Sequence, residues 1–164
     1  MTPDIHQHCE VLSQALLKNK ACMATAESCT GGMIAASCTN LSGSSAWFER
    51  GFVTYSNDAK TDMLGVPATL IQQHGAVSES VAKAMAQGAL AHSKADFSVA
   101  VTGIAGPTGG TAEKPVGTVW LAWAQKSPAR CMVLQKVFPG DRQSVREATT
   151  ALALAQLIEL VNQA

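Results

Sequence analysis

The sequence predicts a three-layer α/β/α sandwich built on a mixed β-sheet, as a single domain. Helical and strand patterns alternate along most of the chain, as they do where crossover helices join parallel strands. Two strong strand patterns then follow with only a short polar linker between them, which suits an antiparallel hairpin. The chain has 164 residues, 47% of them hydrophobic, enough to form a core without disulfide or metal staples.

Each element has a local cause. Thr2-Pro3 pairs an N-cap with proline at the first helical position, and Ile5, Leu12 and Leu16 recur at helical spacing up to about Lys18. A strand is expected near 21–26, then a tight turn at Ser28, then a helix over about 30–39. Small residues (Gly31, Gly32, Ala35, Ala36) would let that helix pack closely, with Ser28 or Thr30 as its cap. The turn-rich Asn40-Leu-Ser-Gly-Ser-Ser leads to an aromatic and β-branched strand over 47–55. A short helix carrying Lys60 follows, capped by Asn57 or Asp58 and stopped at Gly65-Val66-Pro67. Helices are expected at about 67–73 and 78–92, the second capped by Ser78. Phe97, Val99 and Val101 mark a buried strand over 96–102, which runs into the glycine-rich loop 103–110. Residues 116–124 and 131–138 form the hairpin strands, and a long helix from Asp141 or Ser144 to Val161 ends the chain.

Composition narrows the function. Lys plus Arg equals Asp plus Glu at 12 each, with no basic run, so the footprint of a nucleic-acid or anionic-membrane binder is missing. No apolar run approaches the roughly 20 residues of a membrane span, and the N-terminus has no basic-then-apolar export pattern. The five cysteines are odd in number and lack a CxxC pair, which reads as reduced thiols and a cytoplasmic location. A small-molecule partner is the expectation.

Ser28 sits where strand turns to helix. Unpaired N–H groups at a helix start would stabilise an anion formed beside its hydroxyl. The competing reading is a helix-capping serine. A serine nucleophile needs a base, and the four histidines (His6, His8, His74, His92) fall on outer helices or their ends. Lys60 can serve if neutral, whereas an unperturbed lysine near pKa 10.4 is neutral in only about one molecule in a few thousand at pH 7. Otherwise Lys60 is a solvated helix lysine. Cys29 offers an alternative nucleophile, its thiol activated at a helix start, or else is buried and inert. Ser80-Val-Ala-Lys83 has the SxxK spacing of penicillin-recognising enzymes, but no SDN or KTG accompanies it, so it reads as surface. The loop 103–110 can offer N–H groups to an anion, although it matches neither a Walker loop nor GxGxxG. Arg142 and Arg146, four apart, share a helix face and suit a phosphate or carboxylate, or are simply solvated. No residues have metal-ligand spacing.

Ala26-Glu-Ser-Cys-Thr-Gly-Gly32, the stretch from Ser44 to Asn57 with Lys60, Gly103-Ile-Ala-Gly-Pro107 with Lys114-Pro-Val-Gly-Thr-Val-Trp120, and Phe138-Pro-Gly-Asp-Arg142 resemble the competence-damage-inducible protein CinA C-terminal family. The blocks are spread over most of the chain, and the likeness is to the family's stand-alone amidase members. The resemblance implies an α/β/α fold, usually a homodimer, and hydrolysis of the carboxamide of nicotinamide mononucleotide in pyridine nucleotide recycling, with no cofactor or metal. Longer relatives carry an additional N-terminal pyrophosphatase-like domain, whose activity is not expected here. The resemblance places the nucleophile on Ser28 and its basic partner on Lys60, with the Tyr55 hydroxyl relaying or orienting the proton. Backbone donors over Cys29, Thr30 and Gly31 would hold the oxyanion. Thr102, Gly103 and Arg142 would anchor the phosphate. The alternative is a catalytically inactive nucleotide-binding regulatory module with the same pocket.

Overall fold

The computed structural model describes residues 3–164, the side chain of Pro3 excepted. Five strands form one sheet in the order β2-β1-β3-β4-β5. β1 (Met23–Glu27) lies parallel to both β2 (Phe48–Val53) and β3 (Phe97–Gly103), and β4 (Thr118–Gln125) and β5 (Arg130–Val137) complete the sheet antiparallel. The mixed sheet is therefore the expected one, a parallel half from the crossover helices and an antiparallel half from the hairpin.

Helices α1 (Pro3–Lys18), α2 (Met33–Thr39) and α6 (Arg142–Asn162) cover one face, around a core that includes Leu12, Leu16, Ile34, Trp123, Leu154 and Leu157. Helices α3 (Asn57–Leu64), α4 (Ala68–His74) and α5 (Glu79–Ala91) cover the other, over Leu64, Ile71, Met85, Ala86 and Ala100. Every residue of β1 is buried, because the strand is flanked on both edges and covered on both faces. At the crossing of α3 and α5, a Cβ added to Gly88 would run into the Leu64 carbonyl, so glycine is what lets the two helices meet.

Ser78 and Asp141 cap α5 and α6, accepting from Val81 N (3.4 Å) and Ser144 N (2.8 Å). Elsewhere the boundaries move for physical reasons. Neither Asn57 nor Asp58 caps α3; Ser56 does, accepting from Ala59 N at 3.0 Å. β2 stops at Val53, so Thr54 and Tyr55 lie outside the strand. α2 begins at Met33 rather than near Thr30, since Gly31 and Gly32 adopt φ of 59° and 101° and extend the turn. Its cap is neither Ser28 nor Thr30. The buried Glu27 carboxylate reaches forward to accept from Ile34 N (2.8 Å) and Ala35 N (3.0 Å). The expected Thr2 cap of α1 lies outside the described residues.

Candidate active site

Parallel strands β1 and β3 end side by side, and the chain leaving each of them builds one cleft of about 190 Å³. Ser28 follows directly on β1, its N–H donating to Val101 O at 3.0 Å, so the turn is tied to the neighbouring strand. Its side chain is nearly buried and faces the cleft. Lys60 arrives from α3, with 1% of its surface exposed. Its Nζ lies 3.0 Å from Ser28 Oγ.

The surroundings of that amine suit a base. Nζ donates to Thr54 O (2.8 Å) and Tyr55 O (3.2 Å), the two carbonyls released where β2 ends. Ser56 O is more distant, at 3.5 Å. Among the described residues no carboxylate pairs with Lys60. Burial without a counter-ion pushes its pKa below the ordinary lysine value of 10.5. A neutral amine has two N–H groups and one lone pair, so two carbonyls can take the hydrogens while the lone pair accepts the Ser28 proton.

Other residues singled out in the sequence take different places. The Tyr55 side chain is 60% exposed and its hydroxyl accepts from Arg142 Nη2 at 3.0 Å; its carbonyl, not its phenol, touches Lys60. Arg142 also donates to Gly106 O at 2.9 Å and lines the cleft. Arg146 does not join it. Its guanidinium donates to Cys29 O (3.1 Å) and Thr30 O (2.9 Å), behind the nucleophile turn, because partners four apart on α6 meet different loops. Cys29 is buried, and desolvation pushes its thiol up to about 11, against an activated nucleophile.

Thr30 and Gly31 do not line the cleft. The Thr30 hydroxyl donates to Glu27 Oε1 at 2.6 Å, and the Gly31 N–H donates to Ser28 O at 3.0 Å. Thr102 and Gly103 do line it, but the Thr102 hydroxyl proton goes to Ala76 O (2.9 Å). A Cβ on Gly103 would stand 2.7 Å from Val119 Cγ2 and 2.9 Å from Thr118 O, so β4 alone accounts for that glycine. The free N–H groups expected at the α2 start are already occupied by Glu27.

Sequence reasoning missed Glu27, Arg146 as a turn clamp, and Asn57, whose exposed side chain lines the cleft. Glu27 was readable as the lone charged residue in a strand otherwise made of Met, Ala and Thr. A larger cavity of about 600 Å³ lies near the β4–β5 turn, lined by Lys83, Gln87, Gln125 and Arg130 among others. It contains no nucleophile bonded to a base, so size does not make it the catalytic site. Among the described residues no three His, Cys, Asp or Glu side chains gather to hold a metal.

Known proteins resemble the chain over nearly its whole length. Residues 5–161 match the CinA C-terminal domain family. The chain is 52% identical over 154 residues to nicotinamide-nucleotide amidohydrolase PncC of Escherichia coli (strain K12), covering 94% of this chain and 93% of that protein. It is 54% identical over 149 residues to the PncC protein of Pseudomonas putida, covering 91% and 92%. A crystal structure of the competence/damage inducible protein CihA from Agrobacterium tumefaciens superposes with a TM-score of 0.96 at 45% identity, covering 99% of this chain and 98% of that one.

Proposed function

The chain belongs to the CinA C-terminal domain family, and on that premise we propose that Ser28 and Lys60 carry out its chemistry. The activity is that of a nicotinamide-nucleotide amidohydrolase, converting nicotinamide mononucleotide and water to nicotinate mononucleotide and ammonia. The observation that supports the mechanism is the buried lysine amine 3.0 Å from the serine hydroxyl. A pure binding module has no use for that pair.

Neutral Lys60 takes the Ser28 proton as Oγ attacks the carboxamide carbon. The resulting ammonium rests on the Thr54 and Tyr55 carbonyls. It then gives the proton to the amide nitrogen, and the C–N bond breaks to release ammonia and leave an ester on Ser28. Lys60, neutral again, deprotonates a water that attacks the ester; the C–O bond to Ser28 breaks, and the proton returns to Oγ. No step calls for a metal or an organic cofactor.

A cleft of about 190 Å³ is small for a whole nucleotide, so it receives the nicotinamide end and leaves the phosphate at the mouth. Arg142 stands there, exposed, with donors beyond the two already committed to Tyr55 and Gly106. Thr102 shapes the wall rather than donating to the phosphate. We place the enzyme in the cytoplasm, in keeping with its free cysteines, and assign it a homodimer; light scattering that gives a monomer mass would remove the latter.

Ammonia release from nicotinamide mononucleotide tests the assignment. Ser28→Ala is expected to lose activity by about a thousandfold or more while keeping the wild-type melting profile. Undiminished activity in that variant would remove Ser28 from the mechanism.

A further inference from the structure

Resting on the Ser28 reading, we infer that Arg146 is a positioning residue that orients and polarises the oxyanion donors of the nucleophile turn. Glu27 fills the start of α2, so those N–H groups are not available to an oxyanion. The N–H groups of Cys29, which borders the cleft, and of Thr30, which lies behind it, remain. Among the described residues neither donates to an oxygen, although the Cys29 N–H lies against its own sulfur. Cys29 lines the cleft beside Ser28.

Each of these N–H groups shares a peptide with a carbonyl that is itself hydrogen-bonded. Arg146 Nε donates to Cys29 O at 3.1 Å, and the same peptide unit carries the Thr30 N–H. Arg146 Nη2 donates to Thr30 O at 2.9 Å, on the peptide that carries the Gly31 N–H. That N–H donates to Ser28 O at 3.0 Å, on the peptide that carries the Cys29 N–H. One guanidinium thus heads two short relays, and the one that ends at the Cys29 N–H reaches the cleft, while the one that ends at the Thr30 N–H stiffens the turn behind it. A cation on the carbonyl side of a peptide draws electron density from its N–H and fixes the peptide plane, and hydrogen bonds in series strengthen one another. Both effects favour the negative oxygen that forms on Ser28 attack over the neutral carbonyl of bound substrate, so they act on kcat rather than on binding.

The position is also built to hold the arginine. Gly31 has φ of 59°, a left-handed conformation that favours glycine, and it packs in ordinary contact with Arg146 Nη2. The Thr30 hydroxyl is held from the opposite side by Glu27, so the turn is pinned between an acid on β1 and a base on α6. Arg146 does not contact Lys60 or the cleft mouth, which separates its role from those of the base and of Arg142.

Steady-state kinetics on nicotinamide mononucleotide, with Arg146→Ala, Arg146→Gln and Arg146→Lys in the full chain, test the inference. Arg146→Ala is expected to lower kcat by about 10- to 100-fold, less than outright deletion of an oxyanion donor, with KM changed by less than about threefold. Arg146→Lys, which keeps the charge and one contact, should recover part of the loss. Low, non-denaturing guanidinium should restore part of the kcat of Arg146→Ala, and the rising limb of the pH profile should stay where it is in the wild type. A kcat unchanged in Arg146→Ala, or a loss carried wholly by KM, would overturn it. If Arg146→Ala does not fold, the same criteria apply to Arg146→Gln. Ser28→Ala, measured alongside, keeps the two questions apart. Full activity there removes the nucleophile itself, whereas an inactive Ser28→Ala beside a fully active Arg146→Ala removes only the role of Arg146.

Discussion

Lys60 is the base in the mechanism we propose, and its burial sets a sign that can be measured. Desolvation lowers its pKa from 10.5, and the proposed reaction uses the neutral amine, so kcat/KM is expected to rise with pH through a limb that lies below the ordinary lysine value. Stability follows the same linkage. A base with a lowered folded pKa binds its proton less tightly in the folded than in the unfolded state. Between the two values the unfolded chain therefore holds more protons, and stability rises with pH across that window. Below the folded value the full cost of the buried ammonium is present. Urea midpoints for wild type and Lys60→Met, measured from about pH 7 to about pH 10, should show the wild type gaining on the variant as pH rises. Parallel curves would place Lys60 in contact with water. Ser28 and Lys60 were readable as residues because a hydroxyl at a strand-to-helix turn and a lysine after a strand end are local patterns. The Tyr55 side chain was not. Its direction depends on where β2 releases the chain, and that release presents its carbonyl to Lys60 and its phenol to Arg142.

The β1–α2 connection shows what the elements contribute. Two glycines with positive φ delay the helix, and the acid at the end of β1 caps it across the resulting gap. Glu27→Ala leaves the Thr30 hydroxyl and two N–H groups without their acceptor in a buried setting. A loss of about 3 kcal/mol or more is expected in denaturant unfolding. Wild-type stability in that variant would mean that water can replace the carboxylate. On the opposite face, Gly88→Ala forces α5 away from the Leu64 carbonyl and is expected to cost about 1–3 kcal/mol by the same measurement. Element type was readable from periodicity and caps, as at Ser78 and Asp141. The α2 start was not, because its cap comes from seven residues upstream of Ile34, outside the N-cap position at which serine and threonine are normally sought. The α3 cap falls one or two residues before the expected Asn57 or Asp58 for a simpler reason. Ser56, Asn57 and Asp58 are all competent caps, and only the backbone geometry chooses among them.

At the scale of the molecule, the site exists because the parallel pair β1 and β3 ends on the same side, with α3 and α6 delivering Lys60 and Arg142 to that edge. Alternating patterns and a late hairpin made the layered fold readable. Which loops would meet was not, since that depends on strand order, and the order β2-β1-β3-β4-β5 brings together residues more than a hundred positions apart in Cys29 and Arg146. In the proposed binding mode this layout separates the reacting carboxamide from the phosphate at the mouth. Nicotinamide riboside, which lacks that phosphate, is therefore expected to react with kcat/KM lower by about tenfold or more, and Arg142→Ala should reduce the preference for the mononucleotide. Equal specificity constants for the two substrates would place the phosphate outside any recognised site. In the proposed mechanism the substrate acyl group passes through Ser28. Acid-quenched turnover of nicotinamide mononucleotide, followed by mass mapping of the peptide that spans the β1–α2 turn, distinguishes the two nucleophiles: an ester is expected on Ser28, and an acyl group carried by Cys29 instead would overturn the mechanism.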